Sequence, residues 1–215
     1  MKTWISMCRL VCLASVLLVT AACFNFNKSY QEKRSFVLEV SSESREPASE
    51  SPIVLKIKKF RVSPLFVGRA MVYRIGELQY ENDFYDEWFV SPGLLLTRQF
   101  HDWLSKTGRF RFVLVGINHI EPTHLLEGNV VEFYGDYRLA QSPKAIFGIE
   151  LLLLDGLKEW QVIFRRTYHK EVPLADRSPD ALAEGLSQAV RLVLVDLERE
   201  IAEVAERPTP ASSAR

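Results

Sequence analysis

Cysteine is scarce in this 215-residue sequence, and its three copies, Cys8, Cys12 and Cys23, all lie within the first 23 positions. The residues after position 23 can therefore form no disulfide bond, no thiolate metal site and no cysteine nucleophile. A domain built from them must be stabilised by its hydrophobic core. A chain of this length with 47% apolar residues is long enough to bury such a core.

Long hydrophobic runs are missing as well. The uncharged stretch at residues 10–22 has 13 residues, whereas a transmembrane helix needs about 20 apolar residues. Lys2 and Arg9 precede the stretch, and small residues end it. A short apolar core between a basic start and small residues is typical of a secretory signal peptide, which we predict for residues 1–22.

The segment Thr20-Ala21-Ala22-Cys23 resembles a bacterial lipobox. This resemblance implies cleavage between Ala22 and Cys23 and attachment of acyl chains, such as palmitate, to Cys23. Residues 23–34 would then be the lipidated cysteine and a tether, with the membrane as a partner through acylated Cys23. An ordinary cleaved signal followed by a chance cysteine is the alternative.

Charge of one sign and catalytic motifs are also absent. The 27 basic and 27 acidic residues give a net charge of +0, so we expect no nucleic-acid partner. The sequence has no glycine-rich phosphate loop, nucleophile elbow, zinc-protease motif or calcium loop. His119 and His124 flank Pro122 and would not share a helix face as paired zinc ligands do. We therefore predict no enzyme, no cofactor and no metal site.

An acidic run at Asp83, Asp86 and Glu87 is the remaining candidate for acid–base chemistry. Such a run is more often a solvated turn, and the sequence gives no general base or pocket beside it. We predict a turn here.

Hydrophobic periodicity predicts an α+β domain, with a largely antiparallel β-sheet and two main helices packed on one face. Ser91 and Ser178 are the expected N-caps of the helices, and Gly108 is the expected C-terminal glycine of the first. The predicted helices are 92–107 and 178–204. The predicted strands are 35–40, 53–62 with a change of phase near residue 60, 70–75, 78–80, 110–115, 125–139, 145–154 and 160–172.

Aromatic residues and arginines are concentrated between residues 66 and 88. Arg, Tyr and Trp dominate protein interfaces, so we predict a partner-binding surface in this segment. The alternative is that Phe66, Tyr73 and Trp88 are core residues of short strands, with the arginines paired to nearby acidic residues. The predicted binding residues are Phe66, Arg69, Tyr73, Arg74, Tyr80 and Trp88.

Residues 62–74 (VSPLFVGRAMVYR), followed by Tyr80, Trp88 and a helix at 94–107, resemble a signature of the ABC-type transport auxiliary lipoprotein family. The paraquat-inducible protein C-like lipoproteins belong to this family. With the lipobox and the strand at 36–38, the similarity covers most of residues 17–200. The domain would span residues 35–205, followed by a disordered tail at 206–215.

The resemblance implies a non-enzymatic component of an MCE-type system that moves phospholipid between the inner and outer membranes. Its expected partners are an MCE-domain protein and ABC transporter components, with phospholipid and a homo-oligomer left open. Phe24, rather than aspartate, follows Cys23, which favours the periplasmic face of the outer membrane over the inner membrane. A lipid-binding lipoprotein and an outer-membrane assembly lipoprotein are the alternatives.

Overall fold

The structure, a computed structural model, describes residues 32–41, 51–116 and 119–206. From Lys33 onward these residues form one unit with nine strands, two helices and a 3-10 turn at Gly156–Lys158. The helices are α1 (Pro92–Lys106) and α2 (Pro179–Glu206). The strands are β1 (Arg34–Phe36), β2 (Val54–Ile57), β3 (Arg61–Val62), β4 (Ala70–Arg74), β5 (Tyr80–Trp88), β6 (Phe112–Val115), β7 (His124–Asp136), β8 (Lys144–Asp155) and β9 (Gln161–Pro173).

Strand β7 is the centre of the sheet. One of its edges pairs antiparallel with β8 along its whole length, and β8 pairs antiparallel with β9. The other edge receives β2, β3 and β4 in succession, each of them parallel to β7. Beyond these strands, β2 pairs with β6, and β4 pairs with β5, which pairs with β1. The start of β7 therefore carries one group of strands and its end carries another.

The core lies between this sheet and the two helices. Because side chains alternate between the faces of a strand, β8 presents one apolar row toward the helices: Ala145, Phe147, Ile149, Leu151 and Leu153. Helix α2 packs on this row with a stripe of 3.6-residue period that includes Leu182, Leu186, Val193 and Leu197. The Lys170 ammonium group donates to Asp196 at 2.7 Å and joins β9 to α2.

Helix α1 packs on the same face, beside α2. The Phe100 ring meets the buried Phe60 ring edge-on at 4.9 Å between centroids, and Trp103 Nε1 donates to Glu198 at 3.2 Å. The α+β class with two helices on one face is thus confirmed, on a mixed sheet that does not close. The two long ladders formed by β7, β8 and β9 are antiparallel, and the short ladders on the other edge of β7 are parallel.

The helix ends agree with the predictions except at one cap. Ser178 Oγ accepts the amide of Ala181 at 3.1 Å, as expected of an N-cap. Gly108 follows α1 with a φ of 71°, in the left-handed region that glycine favours. Ser91 makes no side-chain capping bond, and its backbone carbonyl accepts the amide of Leu94 instead.

The first strand was predicted to reach Val40, which is wrong because β1 ends at Phe36. The chain then turns toward the helices. Gln99 Nε2 of α1 donates to the carbonyl of Leu38 at 2.9 Å, and the amide of Glu39 donates to the α2 hydroxyl of Ser187 at 3.1 Å. These contacts replace the sheet hydrogen bonds that would have continued the strand.

Two other predictions are corrected. The single strand predicted at residues 53–62 is two strands, β2 and β3, which separate where the sequence pattern changes phase. The acidic run is not a turn, because Asp83, Asp86 and Glu87 lie within β5. The predicted signal peptide, Cys23, most of the tether, loop residues 42–50 and the tail from residue 207 onward lie outside the described residues.

Candidate functional site

Strands β4, β5 and β7 bring the predicted binding residues to one end of the sheet. Tyr73 and Arg74 of β4 pair with Gly135 and Asp136 at the end of β7. On its other edge β4 pairs antiparallel with β5, which places Arg74 opposite Tyr80. Residues that are adjacent in the sequence are thus also adjacent in the fold, around the last residues of β7.

Phe66 and Trp88 are inside this end of the core. Phe66 is 3% exposed, and its ring stacks on Tyr134 at 5.6 Å and meets Tyr80 edge-on at 6.4 Å. Trp88 is 1% exposed and packs on Phe133 at 5.1 Å. The alternative stated above, that aromatic residues of this segment are core residues, therefore describes both side chains.

Tyr73 is half-buried in a stack with Tyr137, with 5.0 Å between the ring centroids and 16° between the planes. Its hydroxyl donates to Asp83 Oδ2 at 2.8 Å, and the other Asp83 oxygen accepts the amides of Tyr85 and Asp86. Burial and the bond to Asp83 raise the pKa of Tyr73, and burial raises the pKa of Tyr137 to about 12. Both phenols are therefore protonated at neutral pH.

Arg74 closes the turn between β4 and β5. Its guanidinium group donates to the carbonyls of Glu77 at 2.8 Å and Gly76 at 3.3 Å, and it lies 5.7 Å from the centre of the Tyr80 ring. Its donors are engaged within its own hairpin. Arg74 and Tyr80 therefore stabilise the β4–β5 hairpin and offer few free groups to a partner.

Arg69 is the predicted residue that reaches solvent. Its Nε donates to the carbonyl of Trp88 at 3.1 Å, and its guanidinium group forms an ion pair with Glu87. About half of the Arg69 side chain remains exposed. Arg69 is therefore held in a fixed position beside the end of β5, with part of its charge facing outward.

Five exposed apolar side chains flank this end of the sheet, and we call them the apolar rim. Val67 precedes Arg69 by two residues, and Val37 and Phe89 directly follow Phe36 and Trp88, which pair with each other. The rim consists of Val37, Leu65, Val67, Phe84 and Phe89. None of these positions is among the predicted binding residues. In the sequence, Leu65, Val67 and Phe89 each directly adjoin a buried aromatic residue, Phe66 or Trp88.

The acidic residues here have structural roles. Asp83 holds Tyr73, and the buried Asp86 carboxylate accepts Arg34 Nε at 2.7 Å. Within the described ranges, no group of three or more His, Cys, Asp or Glu side chains is arranged to hold a metal ion. Nor does any described helix have the length and hydropathy to span a membrane.

Comparison with known proteins gives similarity at the level of the fold. No protein-family model matches the chain, and no curated protein matches it. Among solved structures, a Xanthomonas campestris protein of the DUF330 family superposes with a TM-score of 0.71 at 17% identity, covering 80% of this chain and 97% of that one. A second, uncharacterized protein superposes with a TM-score of 0.64 at 19% identity, covering 79% and 99%.

A more distant similarity is to the lipoprotein GNA1162 from Neisseria meningitidis. Its TM-score is 0.40 at 11% identity, covering 71% of this chain and 99% of that one. At identities below 20%, the DUF330 protein and the second structure establish that this chain shares their fold.

Proposed function

We propose that this chain is a lipid-anchored docking protein of an MCE/ABC-type phospholipid transport system. In this proposal acylated Cys23 holds it at the periplasmic face of the outer membrane, and the domain binds an MCE-domain protein without catalysing a reaction. The lipobox at residues 20–23 and the signature at residues 62–74 support the proposal. The structural observation that carries it is the apolar rim around the half-exposed, ion-paired Arg69.

The rim suits a weak but specific contact. Interfaces have apolar centres in which arginine and aromatic residues contribute most of the binding free energy. Arg69 is already fixed by Trp88 and Glu87, so little side-chain freedom would be lost when a partner binds. A membrane anchor raises the effective concentration of the domain at its partner, so moderate affinity is sufficient.

Capture by a tagged MCE-domain protein in detergent tests the surface. Val67→Asp and Phe89→Asp place a charge on exposed rim positions and leave the core intact, and each should lower capture about fivefold or more. Leu157→Asp is the matched control, because Leu157 is exposed in the turn between β8 and β9, at the other end of β7. Capture of this control should equal that of the wild type.

If both rim variants are captured as well as the wild type, the rim is not the binding surface. If the wild type is not captured, the MCE-domain protein is not the partner. The anchor is tested in the same preparation, because Cys23→Ser should eliminate the acyl mass and move the protein to the soluble fraction. A Cys23→Ser chain that keeps the acyl mass, or that stays in the membrane fraction after a wash in high salt, would contradict lipidation at this site.

A further inference from the structure

The face of the sheet that the helices leave uncovered has an apolar groove at the start of β7. The groove has a volume of about 420 Å³. Its apolar lining is Pro122, Leu125, Leu154 and Trp160. Lys56, Lys58 and Glu127 complete the lining, and Glu127 pairs with Lys58. The groove thus combines an apolar surface with a net positive charge.

The turn between β8 and β9 holds apolar side chains out beside this groove. Leu157 is 75% exposed and Trp160 is 47% exposed. Asp155 Oδ1 accepts the amide of Leu157 at 2.9 Å, and Glu159 and Trp160 adopt φ values of 53° and 61°. Residues other than glycine rarely adopt such left-handed backbone conformations. The conformation of this turn therefore keeps the Leu157 and Trp160 side chains exposed.

Trp160 also depends on a glycine. A Cβ atom at Gly156 would lie 2.9 Å from the Trp160 ring, so the ring rests directly on the backbone of the turn. On the adjacent strand, Val162 is 60% exposed and lines a neighbouring groove of about 350 Å³ together with Leu152 and Arg61. The two grooves share Glu127, so the lined surface continues from the turn onto the open face of the sheet.

Basic side chains outnumber acidic ones along the two grooves: Lys56, Lys58, Arg61 and Arg165 against Glu127 and Glu150, with Glu150 paired to Arg165. Residues 53–62 contain four basic residues and no acidic residue. Lys58 pairs with Glu127. Across the described part of the chain, no ion pair involves Lys56, Lys59 or Arg61. Their charges are therefore available to an external anion.

From these observations we propose that the open face of the sheet at the start of β7 docks on an anionic lipid bilayer. The surface of such a bilayer has an outer layer of anionic headgroups above an interfacial region. Unpaired lysine and arginine suit the headgroups, and exposed tryptophan and leucine side chains suit the interfacial region. The rings and aliphatic side chains enter the interfacial region, and the cations meet the headgroup phosphates. Leu157 and Trp160 are at the opposite end of β7 from the apolar rim; β7 has 13 residues, so its ends are about 40 Å apart. Arg61, which pairs with Asn129 in the middle of β7, lies between them.

Vesicle sedimentation with the mature chain carrying Cys23→Ser tests the proposal, since no acyl group then contributes to binding. The vesicles contain either phosphatidylcholine alone or about one third phosphatidylglycerol. Binding to the anionic vesicles should be about tenfold stronger than to the neutral ones and should weaken in high salt. Trp160 fluorescence should shift to the blue on binding, and Trp160→Phe should remove the shift.

Leu157→Ser and the double variant Lys56→Glu/Arg61→Glu should each weaken binding about fivefold or more. Leu78→Ser is the matched apolar control, because Leu78 is exposed in the β4–β5 turn. Arg191→Glu is the charge control, because Arg191 is exposed on α2. Both controls should bind as the wild type does, and all variants must unfold at the wild-type temperature.

Absence of binding, equal binding to both vesicle types, or equal losses in the controls would overturn the proposal. So would a result in which the Lys56 and Arg61 substitutions reduce capture by the MCE-domain protein and leave vesicle binding unchanged. That outcome would assign this face to a protein partner. The rim variants Val67→Asp and Phe89→Asp should bind vesicles normally, so failure of one surface leaves the other intact.

Discussion

Tyr73 and Tyr137 form a stacked pair in which the two hydroxyl groups have opposite surroundings. The Tyr73 hydroxyl donates to Asp83 at 2.8 Å. The Tyr137 hydroxyl is buried and has no hydrogen-bond partner among the described residues. Tyr73→Phe should therefore lower the free energy of unfolding by about 1 kcal/mol, and Tyr137→Phe should raise it by about 0.5 kcal/mol. Urea unfolding of the three proteins measures both changes.

Each variant is the control for the other, because both remove one hydroxyl group and leave the ring in place. Loss of stability in Tyr137→Phe would mean that its hydroxyl is satisfied after all. An unchanged free energy of unfolding in Tyr73→Phe would mean that the hydrogen bond to Asp83 makes no net contribution to stability.

His169 lies between two carboxylates on the open face of β9. Partial burial by itself lowers its pKa, but the hydrogen bonds to Glu132 at 2.7 Å and Glu171 at 3.3 Å outweigh burial and raise it. A raised folded pKa stabilises the protein when the histidine is charged. This contribution is present below the pKa of the unfolded chain and is lost as pH rises through the folded pKa.

His169→Gln should therefore lower the melting temperature at about pH 5.5 more than at about pH 8, since histidine titrates in this range. Thermal melts of the variant and the wild type at both pH values measure the difference. In a Glu132→Gln background the substitution should have a smaller effect at the acidic pH. If the loss of melting temperature in His169→Gln grew with rising pH, the contacts of His169 with Glu132 and Glu171 would be contradicted.

Among the larger elements, α2 approaches β8 closely at Gly185. A Cβ atom there would lie 2.9 Å from Cβ of Ala145, which the sheet holds in place. Alanine improves helix propensity by about 1 kcal/mol, but forced overpacking costs about 1–3 kcal/mol. We expect Gly185→Ala to lower the free energy of unfolding by about 1 kcal/mol in urea titrations.

Gly68→Ala is the control for Gly185→Ala, because no atom lies within 4 Å of a Cβ at that position. It should change stability by less than about 0.5 kcal/mol. A stabilised Gly185→Ala variant would show that helix and sheet can separate at no cost.

Strands β2 and β3 show what an alternating hydrophobic pattern can predict and what it cannot. The change of phase near residue 60 was visible in the sequence, and it marks the point where Phe60 enters the core against Phe100. Phe60 needs room, which Gly128 of β7 supplies, since a Cβ there would collide with the Phe60 ring. That requirement joins residues 68 positions apart, so a local pattern predicts the break and not its cause.

At the scale of the whole molecule, the local elements were predictable and the pairing order was not. Both helices and the β7–β8–β9 meander follow from periodicity and short connections. The succession of β2, β3 and β4 along β7 pairs residues more than 60 positions apart. No turn or spacing specifies such pairs.

Prediction of the binding segment from the sequence was limited in the same way. The sequence brought Phe66, Arg69 and Trp88 together as neighbours, but burial of the two aromatic residues depends on Tyr134 and Phe133 of β7. The exposed rim and the cationic groove likewise depend on which face the helices cover. Their identification required the structure.

The parallel pairing of β2, β3 and β4 with β7 also has a kinetic consequence. These strands are synthesised first, yet the edge that accepts them begins at His124, which pairs with Leu55. Contacts so distant in sequence form slowly, whereas the meander and α2 can assemble from neighbouring segments. A nascent chain that ends before residue 124 can pair β4 with β5, β5 with β1 and β2 with β6, but it lacks the strand that joins these groups. Strands β2, β3 and β4 can line up along one edge only after β7 has emerged.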